Sequence, residues 1–221
     1  MAARLVVRTL GMVPYAEALA LQQQAMEALR RGEGDDTLFL LEHPPVVTLG
    51  RGSHPEHLLC SREALARAGV ALCEANRGGD VTYHAPGQLV GYPVLDLTRR
   101  GGRDLHRYLR RLEALLQDAL ARLGVSAACV AGRTGVFVAD PDGAPTRRKI
   151  ASIGVGAKGW ITCHGFALNV ELDLAGFRHI VPCGLHDVEM TSVARELAAP
   201  PSDLGERARA AVRAAFEAHF A

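Results

Sequence analysis

Length, composition and charge already limit what this chain of 221 residues can be. Hydrophobic residues make up 48% and charged residues 22%, a mixture typical of a globular protein with a buried core, which excludes a wholly disordered chain. The formal net charge is +1, without a long run of either sign. Since proteins that hold nucleic acid usually carry a basic stripe, we expect no nucleic-acid partner.

Cysteine usage and hydropathy indicate a cytoplasmic location. The five cysteines are odd in number, are scattered, and never show the C-x-x-C spacing, which argues against a disulfide framework or a zinc ribbon. The N-terminal apolar stretch is interrupted by Glu17, so it does not resemble a signal peptide, and no apolar stretch is long enough for a membrane span. We therefore expect a protein of a reducing compartment, without a membrane segment.

Strand-type and helix-type periodicities alternate along the chain. In chain order, the predicted elements are a strand at 3–10, a helix at 14–31, strands at 37–41 and 46–49, a helix at 61–68 that Ser61 caps, strands at 70–74, 81–84 and 89–97, a helix at 104–123, strands at 135–139, 149–155 and 161–172, and a helix at 202–220 that Ser202 caps. Because the strands cluster in the middle, we predict an α+β fold: one mixed sheet with flanking helices, in a single domain over 1–221.

Two glycine-containing segments are predicted to be turns between strands. The sequence Asp-Pro-Asp-Gly at 140–143 is typical of a hairpin connection. Residues 154–159 match G-x-G-x-x-G, but a dinucleotide site needs a helix directly after these glycines, and the residues that follow are β-prone. We therefore interpret 154–159 as a strand-to-strand turn.

The sequence lacks the motifs of several common classes of enzyme. It has no G-x-S-x-G elbow and no P-loop. His179, Cys183 and His186 do not follow a standard zinc spacing, so we predict no metal site.

Three other segments combine residues that an ordinary turn or strand does not require. At 77–88, paired glycines let the backbone approach a ligand, with Thr82 and His84 on one face of the following strand. At 149–154, Lys149 opens an apolar strand. At 180–185, Pro182 and Gly184 place Cys183 on a constrained turn from which a thiol can project. A thiolate beside a cation is a competent acyl nucleophile, so the residues alone favour a thiol acyltransferase.

Taken together with Leu-Glu-His-Pro at 41–44, Thr-Leu-Gly-Arg at 48–51 and His-Gly-Phe-Ala-Leu-Asn at 164–169, these segments resemble the lipoyl(octanoyl) transferases. The resemblance implies the catalytic-domain fold of biotin and lipoate protein ligases, with Cys183 and Lys149 as a catalytic dyad. It also implies an acyl-binding site made of Arg77, Gly78, Gly79, Asp80, Val81, Thr82, Tyr83, His84, Ser152, Ile153, Gly154, Gly165, Phe166 and Ala167.

The resemblance further implies transfer of an octanoyl or lipoyl group to a lysine, without a cofactor. The donor would be octanoyl-acyl carrier protein, and the acceptors would be lipoyl domains of 2-oxoacid dehydrogenase E2 subunits and the glycine cleavage H protein. We expect a monomer. Backbone N–H groups at Gly78, Gly79 or Gly184 are candidates for the oxyanion site.

Two alternatives stay open at this point. An ATP-dependent lipoate–protein ligase of the same fold would use a lysine like Lys149 but would not need Cys183. A biotin ligase is less compatible, because its longer arginine-glycine loop is reduced here to Gly-Arg-Gly-Ser at 50–53. The second alternative is a binding protein for acyl carriers or lipoyl domains that has lost catalysis.

Overall fold

The computed structural model describes residues 4–100 and 102–221, which form two sheets with helices packed around them. The eleven strands of the described part are β1 (Leu5–Met12), β2 (Asp36–Glu42), β3 (Val46–Leu49), β4 (Ala71–Glu74), β5 (Val81–His84), β6 (Gln88–Val94), β7 (Ala127–Ala128), β8 (Val136–Ala139), β9 (Pro145–Lys158), β10 (Ile161–Asn169) and β11 (Glu189–Met190). The α-helices are α1 (Tyr15–Arg30), α2 (Arg62–Arg67), α3 (Leu105–Arg122), α4 (Val193–Glu196) and α5 (Leu204–Phe220).

The larger sheet is mixed and has the strand order β1-β2-β6-β10-β9-β8-β7, with β11 beside β9. The pairs β1–β2 and β9–β11 are parallel, and the remaining pairs are antiparallel. The smaller sheet has the order β4-β3-β5. The predicted α+β fold with a mixed sheet and flanking helices is therefore confirmed.

Helices cover both faces of the larger sheet, so its central strands are buried on both sides. Along β2, Leu38 and Leu40 point into a core shared with α3 and α5, whereas Phe39 and Leu41 face α1. This alternation follows from the two-residue period of a strand. No helix in the described ranges has the length and apolar character to cross a bilayer.

The predicted glycine turn at 140–143 is confirmed, whereas the one predicted at 154–159 is confirmed only at its last residue. Residues 140–143 connect β8 to its antiparallel partner β9. Residues 154–158 belong to β9, and Gly159, with a φ of 60°, turns the chain into β10. The glycines of G-x-G-x-x-G thus serve a hairpin and not the entrance of a helix.

Some predicted boundaries were wrong. The last helix is not capped by Ser202: it begins at Leu204, because a turn after Pro201 places Asp203 at the N-cap. Lys149 does not open its strand, since the ladder with β8 extends β9 back to Pro145. Strands predicted to reach 97 and 172 end at Val94 and Asn169. Ala3, the first residue of the first predicted strand, lies outside the described residues.

Candidate active site

A cavity of about 250 Å³ lies between the two sheets. One wall comes from the smaller sheet and the glycine segment before β5, and the other comes from β9 and β10. It is lined by Tyr15, Arg77, Gly79, Asp80, Val81, Thr82, His84, Tyr92, Gly132, Arg133, Thr134, Lys149, Ser152, Ile153, Gly154, His164, Gly165, Phe166, Ala167, Cys183 and Leu185. The lining is mainly apolar, as expected of a site for an apolar ligand with a few polar groups.

The glycine segment is held tightly against β9. The Gly78 N–H donates to the Val155 carbonyl at 2.8 Å, and a Cβ at position 154 would lie 3.0 Å from the Arg77 Cδ. Glycine at position 154 therefore allows the close approach. The buried Arg77 guanidinium donates to the Thr48 carbonyl and hydroxyl, both at 2.8 Å. Arg77 thus fixes the segment by contacts to the smaller sheet.

Cys183 lies at one end of this cavity in a left-handed backbone conformation. Its φ is 57° and that of Gly184 is 67°. Such a conformation is uncommon for a residue with a side chain and is found preferentially at functional sites. The Val181 N–H donates to the His57 carbonyl at 2.8 Å, and the Gly184 N–H donates to the Val181 carbonyl at 3.0 Å. These bonds hold the turn that projects the thiol, as predicted.

The Lys149 ammonium reaches the thiol from β9. Its Nζ lies 3.2 Å from the Cys183 Sγ and 3.1 Å from the Thr134 carbonyl oxygen, and the residue is 1% exposed. A Cβ at Gly135 would lie 2.7 Å from the Lys149 Cε, so glycine there leaves room for the lysine chain. The Ser152 hydroxyl lies 3.9 Å from the thiol. The partly exposed thiol is therefore within reach of both a lysine Nζ and a hydroxyl.

An acid–imidazole pair flanks the other side of the Cys183–Gly184 turn. The Asp80 carboxylate is hydrogen-bonded to the His57 imidazole, and both side chains are mostly buried. A Cβ at Gly184 would meet the Asp80 Oδ2 at 2.6 Å and the His57 Cε1 at 2.9 Å. Asp80 also accepts from the Val81 N–H at 2.7 Å. This pair therefore joins the glycine segment to the Cys183–Gly184 turn.

Aromatic and imidazole rings close the opposite end of the cavity, which we call the inner end: Tyr15, His43, His84, Tyr92 and His164. Neighbouring ring centroids in this cluster lie 5.4 to 6.4 Å apart. The His43 ring bonds the Val13 carbonyl and the Tyr92 hydroxyl, each at 2.7 Å. The His84 Nδ1 lies 2.7 Å from the Gln88 Oε1. These partners fix the orientations of the His43 and His84 rings.

Burial keeps the inner-end histidines neutral. Desolvation is the main cause that lowers the pKa of His84 to about 3 and that of His164 to about 4, and charge repulsion from Arg77 contributes to both shifts. The pKa of His43 is also lowered by burial. Burial raises the pKa of Tyr15 to about 12. The inner end is therefore uncharged at neutral pH apart from the guanidinium of Arg77.

Most residues expected at the site do line the cavity, but two do not. The Gly78 N–H and carbonyl are both hydrogen-bonded, to Val155 and to Arg77 respectively. Tyr83 lies on the opposite face of β5, where its ring packs 5.5 Å from that of Phe177. The alternation along β5, which places Thr82 and His84 in the cavity, directs Tyr83 away from it.

Sequence reasoning missed several cavity residues. Arg133 and Thr134 lie in the loop before β8, and Tyr15, Tyr92 and His164 form the inner end. His164 lies in one of the segments that carried the resemblance, and Tyr92 lies close to another. The motifs could therefore have pointed to both residues. Tyr15 and Thr134 had none, because the packing of α1 and of the loop before β8 brings them to the site.

The other cysteines differ from Cys183 in their surroundings. Burial raises the pKa of Cys60, Cys129 and Cys163, that of Cys129 to about 11. Among the described residues, Cys183 is the cysteine whose sulfur lies within hydrogen-bonding distance of a lysine. Residues 4–100 and 102–221 contain no group of three or more His, Cys, Asp or Glu side chains placed to hold a metal ion.

Comparisons with known proteins agree with this architecture. Residues 14–220 match the lipoyl protein ligase A/B catalytic domain family. An octanoyltransferase of Geobacter metallireducens is 50% identical over 89% of this chain and 85% of its own length. An octanoyltransferase of Solibacter usitatus is 46% identical over 97% of this chain and 90% of its own length. The structure of a putative lipoate protein ligase from Thermoplasma acidophilum, with bound lipoic acid, superposes with a TM-score of 0.72 at 18% identity, covering 99% of this chain and 85% of that one.

Proposed function

Because this chain belongs to the lipoyl protein ligase A/B catalytic domain family, we propose that it transfers an octanoyl group from acyl carrier protein to a lysine of a lipoyl domain. The observation that carries the proposal is the 3.2 Å contact between the Lys149 Nζ and the Cys183 Sγ at one end of an apolar cavity. An acyl-adenylate ligase has no need of this thiol, and the relatives with 46–50% identity are octanoyltransferases.

In the first half-reaction, the Cys183 thiolate attacks the carbonyl carbon of the carrier thioester. The new thioester forms on Cys183, the bond to the carrier sulfur breaks, and Lys149 gives a proton to the departing thiolate. Lys149 is then neutral. One thioester replaces another, so this exchange needs no ATP.

In the second half-reaction, the neutral Lys149 takes a proton from the ammonium of the acceptor lysine. The resulting amine attacks the Cys183 thioester, an amide forms, and the Cys183 thiolate leaves beside the Lys149 ammonium. The second proton of the acceptor nitrogen passes to solvent. The starting protonation state of the pair is restored.

Backbone bonds narrow the choice of oxyanion donor. The N–H groups of Gly78 and Gly184 already donate to the carbonyls of Val155 and Val181. Gly79 lines the cavity and its N–H makes no such bond in the described ranges, so we assign this N–H to the oxyanion. In a structure of the acylated enzyme, the acyl oxygen should lie about 3 Å from this nitrogen. A position on the far side of the thioester would contradict the assignment.

The test is the intact mass of the protein after incubation with octanoyl-acyl carrier protein in the absence of ATP. We expect the mass of one octanoyl group to be added, to be removed by hydroxylamine, and to be absent in Cys183→Ala. Cys163→Ala is the matched control and should acylate normally. No added mass without ATP, but transfer to a lipoyl domain when ATP and free octanoate are supplied, would identify a ligase instead.

A further inference from the structure

A second cavity of about 660 Å³ lies behind the inner end. It is formed by α1, the end of the β9–β10 hairpin and the segments around Arg51 and Asn76, with apolar surface from Leu19 and Met26. His164 lines both this cavity and the smaller one that holds Cys183, and no other residue of the described chain does so. His164 is therefore the residue that borders both spaces.

The distance from Cys183 to His164 follows from the strand register. Ser152 lies beside the Cys183 Sγ, and His164 pairs with Val155, three residues further along β9. At about 3.3 Å per residue, the separation along the strand is about 10 Å. An extended eight-carbon acyl chain has seven carbon–carbon bonds of about 1.5 Å, and because the bonds zigzag its length is about 9 Å. The smaller cavity thus ends where an octanoyl chain ends.

The backbone and the ring of His164 are held in different ways. Its backbone φ is 56°, inside a strand, and its N–H donates to the buried Gln22 Oε1 on α1 at 2.7 Å. The side chain is 4% exposed, and its Nδ1 has no hydrogen-bond partner. Polar bonds therefore fix the backbone at this position, whereas the ring is retained by its packing between the cavities.

From this placement, and resting on the proposed function, we propose that His164 sets the acyl chain length by separating the acyl cavity from the larger one behind it. Removing the ring joins the two cavities and gives the tail of a longer acyl chain a place beside Leu19 and Met26. For each methylene group of the acyl chain that gains or loses a place in an apolar pocket, kcat/KM changes by about 10-fold or more.

The experiment compares acylation of Cys183 by octanoyl- and dodecanoyl-acyl carrier protein in direct competition, read by intact mass. His164→Asn and His164→Gly are both used, since asparagine and glycine tolerate a φ of 56°. We expect the ratio of dodecanoyl to octanoyl acylation to rise at least about 10-fold in both variants. Cys163→Ala, which alters only the larger cavity, should leave the ratio unchanged.

The outcomes separate this proposal from the previous one. If the unmodified protein takes up no octanoyl group, the proposed function fails. If it is acylated on Cys183 but the ratio stays unchanged in a folded His164 variant, only the partition role is overturned. The partition role is likewise overturned if both chain lengths are lost in parallel by two variants whose melting temperatures match that of the unmodified protein.

Discussion

The two ends of the cavity that we propose to hold the acyl chain are built in different ways. At the end with Cys183, the two residues to which we assign the reaction come from a loop and a strand, and the thiol sits on a turn with positive φ beside the buried Lys149 Nζ. At the inner end, five rings pack together with short hydrogen bonds and neutral imidazoles. The comparison shows a lysine in direct contact with the thiol at one end, whereas packed neutral rings beside the guanidinium of Arg77 form the other.

The sharpest way to break this contrast is to remove the charge. Lys149→Ala should reduce the rate of acyl-enzyme formation by about 10² to 10⁴, because it removes both the cation beside the thiolate and the proton donor. Stopped-flow or quenched mass measurements of Cys183 acylation would give the rate. Lys158→Ala, at the exposed end of the same strand, is the control. Equal rates for the two variants would contradict the role of Lys149.

The space around the lysine can be tested without touching its charge. In Gly135→Ala, the added methyl group would meet the Lys149 Cε and the Ala151 carbonyl at 2.7 Å, at a φ of 120°. We expect acylation to slow about 10-fold or more and unfolding free energy to fall by about 1–3 kcal/mol. Gly143→Ala has a similarly positive φ but open space around it, so it should lose stability only. Identical acylation in both variants would argue against precise placement of Lys149.

Acid should affect the inner end through stability. Because the pKa values of His84 and His164 are lowered to about 3 and about 4, the unfolded chain binds more protons than the folded one below about pH 6.5. The contribution of these neutral histidines to the free energy of unfolding is therefore fully present above pH 6.5. Below that pH, the free energy of unfolding falls by up to about 1.4 kcal/mol per pH unit for each histidine. Urea unfolding between pH 7 and pH 5 measures this slope. It should be smaller in His164→Asn, and an unchanged slope would contradict a neutral buried ring.

The smallest effect is expected at the His57–Asp80 pair, which flanks the Cys183–Gly184 turn. His57→Gln removes a ring that contacts Asp80 and Gly184, so we expect acylation to slow about 2- to 5-fold, a loss of about 0.5–1 kcal/mol of hydrogen bonding. His54→Gln, at the exposed neighbouring histidine, should leave the acylation rate unchanged. An equal loss of rate in both variants would contradict a role for the ring of His57.

The sequence and the structure agree where a signal is local. The hairpin at 140–143, the glycine turn at Gly159 and the constrained turn at Cys183 follow from residues that are adjacent in the chain. The inner end could not be predicted in this way. Tyr15, Tyr92 and His164 lie on α1, β6 and β10, and only the register of the sheet and the packing of α1 bring their rings together. Long-range packing of this kind leaves no periodic trace in the sequence.

Cys183 and Lys149 depend on different sheets. The chain before Cys183 pairs with residues 57–59 at the smaller sheet, where the Leu59 N–H donates to the His179 carbonyl at 2.9 Å. Lys149 belongs to β9 of the larger sheet. Neither sheet carries the pair alone, so the contact between Lys149 and Cys183 forms only after the two sheets have docked. We therefore expect acylation that depends on both residues to report the docking of the two sheets.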